Sequence, residues 1–130
     1  MISPNDLKWD DIPSLPPGAK VAVIEGPLNE AIPFTFRLKF PANYQIPPHW
    51  HPAIERVTVI SGAMSLAMGD NLDRSAAKTL NAGTYGFWPA GMKHTAWFDG
   101  VTIIQLHGVG PWQINYVNPA DDPRNAKKLP

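Results

Sequence analysis

His49 and His51 stand one residue apart, between prolines, in the stretch IPPHWHPAIERVTVISG, and Glu55 follows four residues after the second. Neutral imidazole and carboxylate are suitable ligands for Mn, Fe, Co, Ni, Cu and Zn. Along an extended chain residues i and i+2 share a side, so His49 and His51 face one way with Trp50 opposite. If Glu55 opens the next strand, it shares a face with Val57 and Val59. Three donors within seven residues hold one side of an ion, and a fourth has to come from elsewhere. The paired histidines alone read more readily as a solvated polar loop than as a metal site. A second punctuated segment, GTYGFWPAGMKH, supplies a further donor. Its Pro89-Ala90-Gly91 makes a tight turn, which fixes the backbone just before His94. Four donors in this arrangement turn the reading from a loop to a metal site.

The elements that must carry these residues are short. VAVIE (Val21 to Glu25) reads as a strand. FTFRLKF alternates strictly, with Phe34, Phe36, Leu38 and Phe40 on one face and Thr35, Arg37 and Lys39 on the other. That is the pattern of a half-buried strand. IERVTVI ends at Ser61-Gly62, and MSLAMG after it is expected to pair back as a hairpin. TYGFW, HTAWF and VTIIQLH follow as strands, with Asp99-Gly100 expected to close a two-residue hairpin between the last two. QINYV is a candidate last strand. Asp70 to Ala82 is the least structured segment, with room for one helical turn, and the tail from Asn118 is polar. Seven or eight short strands with Gly/Pro turns argue for an all-β sandwich or barrel. Fifteen prolines in 130 residues agree with that, since proline is kept out of helix interiors and central strands.

The two motifs resemble those of the cupin superfamily of small β-barrels. The first cupin motif is G-x5-H-x-H-x3-E-x6-G, and here Asn43, His49, His51, Glu55 and Gly62 stand at those spacings. Asn43 departs from glycine, but asparagine also tolerates a left-handed backbone. The second motif is G-x5-P-x-G-x2-H-x3-N, matched by Gly83, Pro89, Gly91 and His94, with Phe98 in place of asparagine. Residues 43–98 thus carry both motifs and their link. The resemblance implies a double-stranded β-helix, or jelly-roll barrel, formed by one domain over 1–130. It implies that His49, His51, Glu55 and His94 bind one divalent metal per chain, with two positions left for water or substrate. Fe or Mn is favoured, and Ni, Zn and Co are possible. Phe98 is not a ligand position in that family and makes the pocket more apolar.

Other residues are weaker candidates. Val101, Ile103, Gln105 and His107 share a strand face, and Gln105 and His107 are expected to line the pocket. Tyr85 joins them as a candidate catalytic residue. Arg37 is a pocket candidate able to grip a carboxylate with two donors. Trp50, Trp88, Trp97 and Trp112 are read as core or subunit interface, with Trp97 outside the barrel. The segment after His107 is expected to cap the barrel or cross to a partner.

Composition narrows the function. Net charge is zero with no basic run, which speaks against nucleic acid. There is no cysteine, which excludes disulfides, thiolate metal sites and cysteine nucleophiles. No apolar run suits a signal sequence or a membrane span, and a cytoplasmic location is expected. Residues 1–20 are proline-rich and are expected to form an extended arm lying on the body of the protein or on a partner subunit, with Trp9 and Leu15 as anchors. The resemblance implies a metalloenzyme acting on a small oxygen-bearing molecule, of dioxygenase, decarboxylase, isomerase or lyase type, with dioxygenase chemistry favoured. The alternative is a binding or sensing cupin that works through a protein partner. A homodimer is also implied by the family's habit of pairing barrels.

Overall fold

Phe34, Phe36, Leu38 and Phe40 are all buried, and the residues between them are not. The computed structural model describes residues 1–69 and 73–126 and turns that alternation into one wall of a two-sheet barrel. Its strands are β1 (Asp10–Asp11), β2 (Lys20–Glu25), β3 (Pro33–Phe40), β4 (Tyr44–Trp50), β5 (Glu55–Ser61), β6 (Ala63–Met68), β7 (Lys78–Asn81), β8 (Tyr85–Trp88), β9 (His94–Phe98), β10 (Thr102–Val109) and β11 (Asn115–Tyr116). One sheet has the order β1-β2-β3-β10-β5-β8 and the other β11-β4-β9-β6-β7. Every pairing is antiparallel. The core lies between the sheets, and Phe40 from one stacks on Phe98 from the other at 3.9 Å between ring centres.

Two expected hairpins are absent. β9 and β10 do not pair across Asp99-Gly100, nor β5 and β6 across Ser61-Gly62. Each turn instead carries the chain from one sheet to the other. The turn residues fix a local reversal, but β9 already has β4 and β6 on its two edges, so β10 must find partners in the other sheet. The Thr102 hydroxyl ties the two corners together, 2.9 Å from the Gly100 carbonyl and 3.1 Å from that of Ala63. Gly62 is required at its corner. Its φ is +79°, and a Cβ there would lie 2.5 Å from the Val101 carbonyl oxygen.

Three short strands escaped the sequence reading: β1, β7 and the regular part of β4. The segment expected to be least structured holds a 3-10 turn (Arg74–Ala76) and then β7. Residues 70–72, and 127–130 of the polar tail, lie outside the described residues. Of the stretch expected as an extended arm, much is built into the barrel. Asp10–Asp11 pairs with β2, and Leu15 and Ala19 are buried in the core. The Tyr44 and Tyr116 hydroxyls donate to the Pro16 and Ser14 carbonyls at 2.5 Å each. Burial pushes both phenols above their ordinary pKa, so they stay protonated as donors. Trp97 lies outside the main core cluster, its ring facing the Arg74 guanidinium at 5.9 Å. Among the described residues no helix is long and apolar enough to cross a membrane.

Candidate metal centre

A one-residue irregularity aims the first two histidines. β4 pairs with β9 as Ile46↔Ala96 and then His49↔His94, so β4 holds one residue more than β9 between those pairs. Strict alternation from Tyr44 and Ile46 would turn position 49 outward. The extra residue, at Pro47-Pro48, reverses the parity and turns His49 into the barrel opposite His94. Prolines suit this place because they have no N–H for the ladder to lose. Asn43, just before β4, adopts φ +58°, the left-handed backbone that the family's glycine provides. Gly91, in the turn before β9, has φ +80° and donates its N–H to the His51 carbonyl at 2.8 Å. That bond ties the two motifs directly.

The four side chains meet at one end of the barrel interior. The ligating nitrogens of His49, His51 and His94 lie within 4.8 Å of one another. Glu55, the first residue of β5, puts Oε1 2.9 Å from His51 Nε2 and 3.3 Å from His94 Nε2. All four residues are buried.

Each imidazole is held from behind. His49 Nδ1 lies 2.7 Å from the Pro47 carbonyl, His51 Nδ1 2.7 Å from that of Gln113, and His94 Nδ1 2.9 Å from that of Met92. A carbonyl only accepts, so each Nδ1 carries the hydrogen, and in the neutral ring each Nε2 keeps a lone pair. Those lone pairs converge with a carboxylate oxygen. His94 Nε2 is buried and has no hydrogen-bond partner despite its closeness to Glu55. Buried acceptors meeting without a donor are unfavourable, and a cation among them removes the conflict. The residues therefore fit a divalent metal.

The electrostatics agree. Burial pushes the His49 pKa well below 6.5, and positive charge on His94 or His51 pushes the same way. Burial alone would raise Glu55; positive charge at His51 and His94 outweighs it and holds the carboxyl ionised, and with the rings neutral a cation at their lone pairs would supply that charge. Neutral imidazole and ionised carboxylate are the forms that bind metal.

A cavity of about 220 Å³ opens from these donors, and its walls are mostly apolar. Phe98 lines it, as the sequence reading expected. Trp112, read as core or interface, packs against the core and also stacks on the His51 ring at 4.1 Å, walling the cavity. The segment carrying it, with Gln113 and Ile114, lines the same cavity. Trp112 N–H donates to the Leu28 carbonyl at 2.6 Å, and β11 joins β4 beside His49. Arg124, also at the cavity edge, donates to the Ile114 carbonyl at 2.9 Å and is gripped by Asp122. The sequence signalled the cap only by its length and position. The backbone role of Gln113 has no side-chain signature.

Four candidates are misplaced by the sequence reading. Gln105, His107, Arg37 and Tyr85 do not line the cavity. They lie on the outer face of the six-stranded sheet. Gln105 accepts from Arg37 Nε at 2.9 Å, and His107 stacks near Tyr85 with 6.1 Å between ring centres. Alternation grouped Gln105 and His107 correctly but does not say which face is inside. Thr102, Ile104 and Leu106 take the buried side of β10, so their neighbours point out.

A family model described as the ChrR Cupin-like domain matches residues 1–113. The chain belongs to that family. No curated protein sequence matches this cupin. Solved structures share its fold. The polyketide cyclase RemF from Streptomyces resistomycificus has a TM-score of 0.76 at 17% identity, covering 100% of this chain and 93% of that one. An acetylacetone dioxygenase from Acinetobacter johnsonii has 0.66 at 16% identity, covering 94% and 78%. An RmlC-like cupin from Shewanella frigidimarina has 0.66 at 17% identity, covering 83% and 87%. At these identities the likeness is one of fold.

Proposed function

We propose that His49, His51, Glu55 and His94 hold one divalent metal, and that this cupin turns over a small oxygen-bearing organic molecule at it. The reading rests on one observation: four donors converge at one end of a mostly apolar cavity. Fe or Mn is favoured, and Ni, Co and Zn suit the same donors. When bound, such an ion supplies a Lewis acid and a template for substrate oxygens. The chain supplies the rest. The three carbonyls behind the imidazoles fix which nitrogen faces the ion. Trp112 and the apolar walls exclude water and take the carbon part of the substrate, and the volume suits a molecule smaller than the usual 300–1,000 Å³ pocket occupant.

Oxidative cleavage of an enolisable substrate is the favoured reaction. The acetylacetone dioxygenase that shares this fold makes β-diketones the first compounds to try. Protein loaded with Fe(II) should consume O2 in step with loss of a β-diketone or a small hydroxy acid, and the metal-free protein should not. Fully loaded protein that leaves such a panel unchanged, with and without O2, while ligands still raise its melting temperature, would make it a binding cupin instead.

A further inference from the structure

The outer face of the six-stranded sheet carries a surface that the metal site does not use. By strand register it has two rows. In one, Phe87 of β8 stands opposite Arg56 of β5, and continuing the Leu106↔Val57 register by one residue puts His107 of β10 next across the sheet, opposite Thr35 of β3. In the other, Tyr85, Thr58, Gln105 and Arg37 follow one another across the same four strands. Phe87 and Tyr85 are 68% and 49% exposed, high for aromatic rings in a regular strand. Arg56 lies against Gly108 and edges a shallow surface hollow of about 310 Å³ with Ile54, Val109 and Pro111.

The charge of this face is one-sided. Among the described residues Arg37 and Arg56 form no ion pair. No aspartate or glutamate stands in either row across those four strands. The nearest by register is Glu25, opposite Thr35 on β2. It is three strands from Arg56, about 14 Å away, and one strand and two positions from Arg37, about 8 Å between backbones, at the usual strand spacing. Arg56 stands on the strand beside Phe87, and Arg37 lies farther across the same face; arginine with exposed aromatic rings is a combination common in protein-recognition sites.

We propose that this face docks an extended acidic segment of a partner protein, laid across the strands with its apolar side chains on Phe87 and Tyr85. Arg56 and Arg37 are two strands and two residues apart, about 12 Å between their backbones. Acidic residues four places apart share one face of an extended segment and stand about 13 Å apart, which matches that separation. A second copy of this chain fits less well, because the same cationic face on both sides would bring like charges together. The inference does not rest on the metal.

The test is fluorescence anisotropy with a labelled decapeptide carrying two glutamates, four places apart, among valines and leucines. The same peptide with lysines replaces it as the control. The acidic peptide should bind at least about tenfold more tightly than the basic one, and added salt should weaken it. R37E/R56E should reverse the preference. Phe87→Ser, a change at an exposed position, should weaken the acidic peptide about tenfold and leave metal content unchanged. No binding, equal binding of both peptides, or an acidic-peptide affinity untouched by Phe87→Ser overturns the proposal. So does a dimer in light scattering that R37E/R56E dissociates, because a second copy would then occupy the face.

Discussion

His51→Ala should empty the site while leaving the barrel folded. His51 contributes one converging nitrogen, and its ring also fills the space between Trp112 and Glu55. Removing it leaves the Gln113 carbonyl without its donor, at a cost of about 1–3 kcal/mol. A modest cavity adds to that. The sum stays below the roughly 5–15 kcal/mol by which a domain of this kind is stable. Metal affinity should fall by more than the ~10–100-fold typical when only a group behind a ligand is removed. Metal analysis and a thermal melt of the purified variant check both halves. A variant that keeps its full complement of metal removes His51 from the ligand set, and one that no longer folds shows that metal binding and folding are coupled.

Acid should weaken both the metal-free fold and its hold on metal, starting near pH 6.5. In the unfolded chain His49 titrates at its ordinary 6.5, and in the folded chain it titrates well below that. Above pH 6.5 the residue is neutral in both states and contributes no slope. As pH falls through 6.5 the unfolded chain binds a proton that the folded chain refuses, so stability declines toward the folded pKa. The slope from one such group approaches about 1.4 kcal/mol per pH unit. Glu55 acts lower down. Its folded pKa is depressed below 4.5, so the stability it contributes is present above 4.5 and is lost as pH falls further. Metal release should be steeper than either, because protons compete for several imidazoles at once. Urea midpoints at pH 7, 6 and 5, with and without metal, read this directly, and a flat metal-free profile contradicts it.

The site was more legible in the sequence than the wiring of the sheets. His49, His51, Glu55 and His94 are spaced by tight turns whose residues advertise themselves, namely Asn43, Gly62 and Gly91, all at positive φ. Strand alternation found β3 for the same reason, since a period of two is a local property. Which strands pair is not local. Asp99-Gly100 looks like a hairpin turn whether the next strand pairs with β9 or crosses to β3 and β5. Nor does alternation say which face is inside, and that misplaced Gln105 and His107. The parity change at Pro47-Pro48 was visible only as two prolines. The capping segment acts through the Gln113 carbonyl and the Trp112 ring, and neither carries a spacing signature.

The central claim is that four side chains of one chain hold one divalent ion. Metal analysis of protein purified without added metal, and again after reconstitution and desalting, tests it most directly, with X-ray absorption on the loaded sample. The account predicts about one equivalent per chain and a first coordination sphere dominated by imidazole nitrogen at about 2.1 Å. Less than about a tenth of an equivalent after reconstitution, or a sphere of oxygen alone, would contradict it.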